Sequence, residues 1–147
     1  MKERTQRFES VATADLPEIQ RFVEDALAEC GAEPQVAGEL VVALHEAVTN
    51  VIRHGYRNKR GDLQVTVARA ADEVHLQLVD SAPPFDPRQV PAPDTSLPLM
   101  QREAGGLGVH MMRAFTDGIE YRLTDDAHNE LTLIKKTRTV DRPPAAE

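Results

Sequence analysis

The chain has 147 residues, a formal net charge of -7 and 28% charged residues. That length suits one domain with a real core, and that charge disfavours DNA, RNA and anionic membranes as general partners without excluding one basic pocket. No apolar run approaches the roughly 20 residues that span a bilayer, the opening MKERTQRFES carries no secretory h-region, and a single cysteine, Cys30, leaves no internal disulfide; the expectation is a cytoplasmic protein.

In chain order, Thr5 to Val11 predicts a short first strand. Asp15 reads as a helix N-cap, with Pro17 in the first turn and Glu18 three residues on. The helix it opens runs to about Cys30, burying Ile19, Phe22, Val23, Ala26 and Leu27, and Gly31 ends it. Pro34 opens a second helix that Gly55 closes. Its stretch Glu39 to Tyr56 (ELVVALHEAVTNVIRHGY) organises the rest of the chain. At about 3.6 residues per turn, Val36, Leu40, Leu44, Val48 and Val51 fall on one side. Glu39, Glu46, Asn50, Arg53 and Arg57 fall on the other, with His54 close by and Ile52 on a flank. A narrow polar stripe with a carboxylate and a carboxamide one turn apart suits a helix facing a polar ligand. A plain amphipathic helix with a solvated stripe gives the same pattern.

After the turn-rich Asn58 to Asp62 the period changes to two: Leu63, Val65 and Val67, then Val74, Leu76 and Leu78, predict an antiparallel hairpin turning within Arg69 to Asp72. From Ser81 to Ala104 six prolines leave little room for regular structure, and a loop of that length is functional or mobile. Gly105-Gly106-Leu107-Gly108 leads into a short helix over Val109 to Phe115. Two more strands follow, Gly118 to Leu123 and Leu131 to Lys135, and a disordered tail is expected from Thr137. Strands arriving in adjacent pairs predict a mainly antiparallel mixed sheet with helices on one face, an α/β (α+β) two-layer sandwich over residues 1–136.

Two further signals join the helix stripe. A Gly-rich turn before a helix lets backbone N–H groups approach phosphates, although GGLG fits neither a Walker A loop nor G-x-G-x-x-G and serves equally as a hinge. Asp80, at a strand end before Ser81-Ala82-Pro83-Pro84-Phe85-Asp86-Pro87, can accept from an exocyclic amine or simply form a turn.

Taken in order, the three segments resemble the Bergerat-fold ATPases (gyrase, Hsp90, histidine kinase, MutL). HEAVTNVIRHGY resembles their N box, DSAPPFDP the G1 box and GGLGVHMM the G2 box. The His-Gly-Tyr and Pro-Phe-Asp-Pro endings look like the anti-sigma-factor serine kinases of bacterial partner-switching systems. The resemblance covers about residues 8–136. It implies that Asn50 holds Mg²⁺ between phosphates, that Glu46 is the general base, and that Asp80 reads the adenine amine. It places Arg53 and His54 near the phosphates, puts Gly106, Leu107 and Gly108 along them, and makes the stretch 81–104 the ATP lid. Ala82 and Phe85 of G1, and Gly105 and Val109 beside G2, complete the implied nucleotide site. Ala82 stands where the family has glycine, so a methyl group would crowd the ring, and Thr132 is a loose candidate for the family's late-strand threonine.

The function so implied is an ATP- and Mg²⁺-dependent serine/threonine protein kinase. It would phosphorylate a STAS-type anti-sigma-factor antagonist, sequester a sigma factor or another output protein, and form a homodimer. The rival readings are a nucleotide-gated partner-binding module without kinase activity and a detached histidine-kinase-like catalytic domain.

Overall fold

Period-two alternation of apolar residues builds one five-stranded sheet. The computed structural model describes residues 2–91 and 106–138. Strands β1 (Lys2–Val11), β2 (Gly61–Ala70), β3 (Glu73–Asp80), β4 (Gly118–Leu123) and β5 (Asn129–Lys136) lie in the order β1-β2-β3-β5-β4. Every neighbouring pair is antiparallel, so the mixed character expected of the sheet is not seen among the described strands. Leu63, Val65 and Val67, then Val74, Leu76 and Leu78, then Leu131 and Leu133, are buried on one face. Three helices cover that face: α1 (Leu16–Glu29), α2 (Pro34–Thr49) and α3 (Gly106–Ala114). The expected two-layer sandwich is therefore present. Two of the sheet's joins are hairpins, β2–β3 and β4–β5, while β3–β5 joins segments distant in the chain.

Local sequence explains the helix ends, with one correction. Asp15 does not cap α1 with its side chain. It closes a 3₁₀ turn over Thr13–Asp15, and its carboxylate accepts from the Ala12 N–H at 2.8 Å. At the other end Gly31 takes φ 76, a left-handed conformation that costs glycine little. Ala32 N–H then reaches Leu27 C=O and Gly31 N–H reaches Ala28 C=O, closing a Schellman motif. Over β1, Phe8 and Phe22 meet edge-on at 6.1 Å between ring centroids, which seats α1 on the sheet.

The second helix departs most from a uniform helical wheel. Its α-helical part ends at Thr49, and Asn50–Gly55 continue as a π-helix, with Tyr56 N–H donating to Val51 C=O at 2.7 Å. The wider turn rotates every later side chain. Ile52, expected on a flank, is buried, and Val51, expected in the core, is only half-buried. Arg57 lies beyond the helix at φ 53, yet it lines the same cavity as Asn50. At the opposite end of the stripe, Glu39 is paired with Lys135 Nζ of β5 at 2.6 Å and so ties α2 to the sheet.

Around the proline-rich loop the outcome is mixed. Helix α3 already starts at Gly106, so Gly106, Leu107 and Gly108 form its first turn instead of a loop before it. Gly105 and most of the expected lid lie outside the described residues. The part before residue 92 holds one 3₁₀ turn, Pro87–Gln89, pinned when Arg113 of α3 donates to the carbonyls of Pro87 and Arg88. Thr137, expected to begin a disordered tail, is buried: its hydroxyl oxygen accepts from Glu33 N–H, and its own N–H reaches Asp72 C=O. Residues 139–147 lie outside the description. Among the described residues no helix is long and apolar enough to cross a membrane.

Gly55 touches the G1 segment directly. A Cβ built on it would stand 2.8 Å from the Ala82 Cβ, closer than two carbons pack. The methyl group that replaces the family's glycine at position 82 therefore occupies space that Gly55 leaves open. Gly55→Ala is expected to destabilise the fold by about 1–3 kcal/mol through overpacking, and Ala82→Gly in the same chain should restore most of that loss. Denaturant unfolding of the four proteins in this double-mutant cycle measures the coupling; additive effects would contradict the contact.

Candidate nucleotide site

The end of β3 and the start of β5 meet over a buried carboxylate. Asp80 is 6% exposed and Asn129, its direct cross-strand partner, is 4% exposed. Asp80 Oδ1 accepts from Asn129 Nδ2 at 2.9 Å and from the Ala82 N–H at 2.9 Å. The other carboxylate oxygen makes no protein hydrogen bond among the described residues. The Asn129 amide also donates to Ala82 C=O at 2.9 Å and to Pro83 C=O at 3.3 Å. Its carbonyl oxygen accepts from Phe85 N–H at 3.2 Å and from the Tyr121 hydroxyl. One carboxamide thus fixes the carboxylate and the backbone from Ala82 to Phe85 together. Burial pushes the Asp80 carboxyl above the usual carboxylate range, partly offset by the hydrogen bonds from Asn129 and Ala82 and by nearby His128.

Asp80 is one wall of a cavity of about 210 Å³, far larger than the water-sized voids of an ordinary core. Asn50, Val51, His54 and Gly55 of the π-turn form a second wall, and Ala82 to Phe85 a third. Met112 of α3, with Tyr121, Asn129 and Leu131 of the sheet, closes the rest. The wider π-turn explains why Asn50, Val51 and His54 share this face. Tyr56 holds the corner: its hydroxyl donates to Asp62 C=O at 2.7 Å and accepts from Ser81 N–H at 2.8 Å. Burial raises the Tyr56 hydroxyl's pKa, which keeps it a donor.

Of the residues expected at the site, Asn50, His54, Asp80, Ala82 and Phe85 converge on this cavity. Glu46 is half-buried one turn before Asn50, but Ala47 rather than Glu46 lines the wall. Arg53 is exposed outside it, because the π-turn carries His54 inward instead. Val109 sits in the core at 1% exposure, and Met112, one turn on, is the α3 residue in the wall. Thr132 cannot serve the site: it alternates with Leu131 and Leu133 and accepts from Gln77 on the opposite face of the sheet. Sequence reasoning missed Asn129 and Tyr121. The signal for Asn129 was its place opposite Asp80 once β3 and β5 pair, since asparagine is depleted in strands without a polar task.

A family model described as a histidine kinase-like ATPase domain matches residues 10–135. The chain belongs to the histidine kinase-like ATPase domain family. Among named relatives, serine-protein kinase RsbW of Bacillus cereus (strain ZK / E33L) is 24% identical over 108 residues, 71% of this chain and 64% of that protein. Serine/threonine-protein kinase BtrW of Bordetella bronchiseptica is 28% identical over 95 residues, 64% of this chain and 66% of that protein. The chain thus spans about two thirds of the length of these relatives, and slightly less in the RsbW case. Two solved structures share its fold. The RsbU and RsbW domains of a Mycobacterium tuberculosis protein align at TM-score 0.64 and 19% identity, covering 95% of this chain and 34% of that one. A chain of the SiaB-SiaC complex from Pseudomonas aeruginosa aligns at TM-score 0.60 and 18% identity, covering 88% of both. The Bergerat-type fold expected from the three boxes is thereby borne out.

Two outcomes follow from how the buried carboxylate is held. Because the folded-state pKa of Asp80 is raised, its burial costs no stability below the unfolded-state pKa and the full amount above the folded-state one. In Asp80→Asn the amide oxygen can keep both hydrogen bonds while the charge is gone. At pH 7.5 the ligand-free variant should unfold at an equal or higher temperature, by roughly 2–4 °C, yet lose ATP binding; a lower melting temperature would contradict the desolvation argument. Asn129→Asp places two carboxylates at hydrogen-bond distance, where they share one proton. On the acid side the protonated partner still donates to Asp80; as pH rises through the raised pKa of the pair, both ionise and repel. The ratio of variant to wild-type ATP affinity should fall by about tenfold or more between pH 5 and 9. A flat ratio by calorimetry would deny the link.

Proposed function

We propose that this domain is an ATP- and Mg²⁺-dependent serine/threonine protein kinase of the partner-switching kind. Its substrate is a STAS-type antagonist protein, and it sequesters a sigma factor or another output protein. The observation that carries the nucleotide part is Asp80, a buried carboxylate with one oxygen committed to Asn129 and Ala82 and the other left to a cavity walled by Asn50 and His54. A buried carboxylate with an unused acceptor facing a pocket favours a ligand with an amine edge, as adenine has. The relatives named as serine-protein kinases support the kinase part.

The residues divide the work as follows. Asp80 accepts from the base, and Asn129 and Ala82 hold it still. His54 and Arg57 line the same cavity as Asn50, and their basic side chains suit the phosphates. The donor set fits Mg²⁺ only as a shared site: among the described residues no three carboxylate, histidine or cysteine side chains cluster, and Asn50 offers one carboxamide oxygen. Mg²⁺ accepts such a site, since it keeps several waters and takes phosphate oxygens, and it supplies charge neutralisation. Glu46 makes no hydrogen bond or ion pair among the described residues, so its carboxylate is available to receive the proton of an incoming serine or threonine hydroxyl.

A second reading has one observation in its favour. Glu46 stands outside the cavity wall, which suits a nucleotide-gated binding module that performs no transfer. Radiolabel transfer from ATP to a cognate STAS-type protein separates the two. Glu46→Ala should keep ATP and partner binding and lose phosphorylation by about 10²- to 10⁴-fold. Equal transfer by wild type and variant would remove Glu46 from the base role. Tight binding of ATP and partner by the wild type with no transfer would establish the binding module.

A further inference from the structure

In a chain of net charge -7, one short segment carries basic side chains and no acidic one. Arg53, His54, Arg57, Lys59 and Arg60 all stand exposed, with no acidic residue between them. None of the five forms an ion pair or a side-chain hydrogen bond among the described residues. Nearby acids are already taken: Asp62 receives Arg7 and the Ser10 N–H. Two of the five, His54 and Arg57, line the mouth of the cavity, so the patch is continuous with the candidate site.

The backbone under the patch is held in place. Arg57 and Asn58 take φ 53 and φ 61, consecutive left-handed conformations at residues other than glycine. Each costs on the order of 1 kcal/mol and persists only where its surroundings enforce it. Here Asn58 N–H donates to Ile52 C=O at 2.9 Å and Lys59 N–H to Tyr56 C=O at 2.9 Å. The Tyr56 ring fills the space over Gly61, where a Cβ would collide with it at 2.3 Å. The helix macrodipole accounts for basic residues in the last helical turn, Arg53 and His54. It does not reach Lys59 and Arg60. Nor does a nucleotide in the cavity call for cations outside its walls, where Arg53, Lys59 and Arg60 lie.

We propose that the rim Arg53–Arg60 is the docking surface for the phosphoacceptor protein, and that it recognises an acidic segment beside the acceptor hydroxyl. This rests on the kinase reading above. The charge complementarity is local: an acidic domain repels other acidic surfaces everywhere except at the basic rim around the mouth of the site, so the rim orients an acidic partner as well as attracting it. Lys59 and Arg60 would engage the partner alone, while Arg57 and His54 stand between partner and cavity.

The test uses the full chain and two fluorescein-labelled synthetic peptides of equal length, a serine flanked by glutamates and a serine flanked by glutamines. Anisotropy is read with a non-hydrolysable ATP analogue and Mg²⁺ at low and high salt. The acidic peptide should bind about tenfold more tightly than the neutral one at low salt, and the gap should close at high salt. Lys59→Glu with Arg60→Glu should remove that preference while MgATP affinity stays within twofold. Arg21→Glu with Lys136→Glu, the same charge change at exposed sites elsewhere, should keep it. Equal affinity for the two peptides, or equal losses in the two double variants, would overturn the proposal. A 20-nucleotide single strand bound more tightly than the acidic peptide would overturn it in favour of nucleic acid. Failure of the wild type to bind MgATP would sink the nucleotide reading instead, and the peptide contrast would still judge the rim on its own terms.

Discussion

A carboxylate out of water is costly unless its surroundings supply what water did, and the site rests on how this is done for Asp80. Asn129 gives its amide to one oxygen and to the carbonyls of Ala82 and Pro83, and takes the Phe85 N–H and the Tyr121 hydroxyl in return. The carboxamide has no unused capacity left. Its fixed position leaves Asp80 with a single way to stand, and therefore a single free acceptor. Strand register delivers this arrangement: in the β3–β5 ladder Asp80 and Asn129 are the terminal pair. A slip of one residue in β5 would send Asn129 to the opposite face of the sheet and leave Asp80 without it.

The π-turn is the second constraint. A regular helix from Pro34 to Gly55 would keep Val51 in the core and point Arg53 along the polar stripe. The extra residue per turn puts Asn50, Val51 and His54 on the cavity and buries Ile52. It also brings Gly55 against Ala82, where the absence of one methyl group accommodates the presence of another. The departure from the family's G1 glycine is thus matched within the chain and is not a flaw in isolation. The domain gives up regular helical hydrogen bonding where it gains a binding wall, a common use of π-helical segments.

Much of this was legible in residue order. Alternation at Leu63 to Leu78 and at Leu131 to Leu133 identified the strands, and Pro34, Gly31 and the spacing of Ile19, Phe22, Val23, Ala26 and Leu27 identified the helices. Those are local signals, and local signals survive into the structure. Asn50, His54 and Asp80 were legible because their chemistry is unusual for their places. What failed depended on geometry that a helical wheel does not carry. A π-turn has no sequence marker here, so Val51, Ile52 and Arg53 were assigned to the wrong directions. Asn129 was missed because its role exists only across a strand pair, and Thr132, only a loose candidate, falls away because parity along β5 puts it on the outer face. Asp15 followed the N-cap pattern and then served a different backbone group.

The β3–β5 pairing has a consequence for how the protein comes into being. Its flanking joins are hairpins that close within a few residues, but the hydrogen bond between Asn129 and Asp80 spans 49 positions. Closing so large a loop is entropically slow, and on a ribosome it waits until the last hairpin has emerged. Helices, the first three strands and Asp80 itself can all be in place while the pocket still lacks its far wall. A nucleotide that needs that wall stabilises only the finished chain. Ligand affinity then acts as a check on folding: copies in which β5 has not yet paired with β3 gain nothing from a ligand of this pocket.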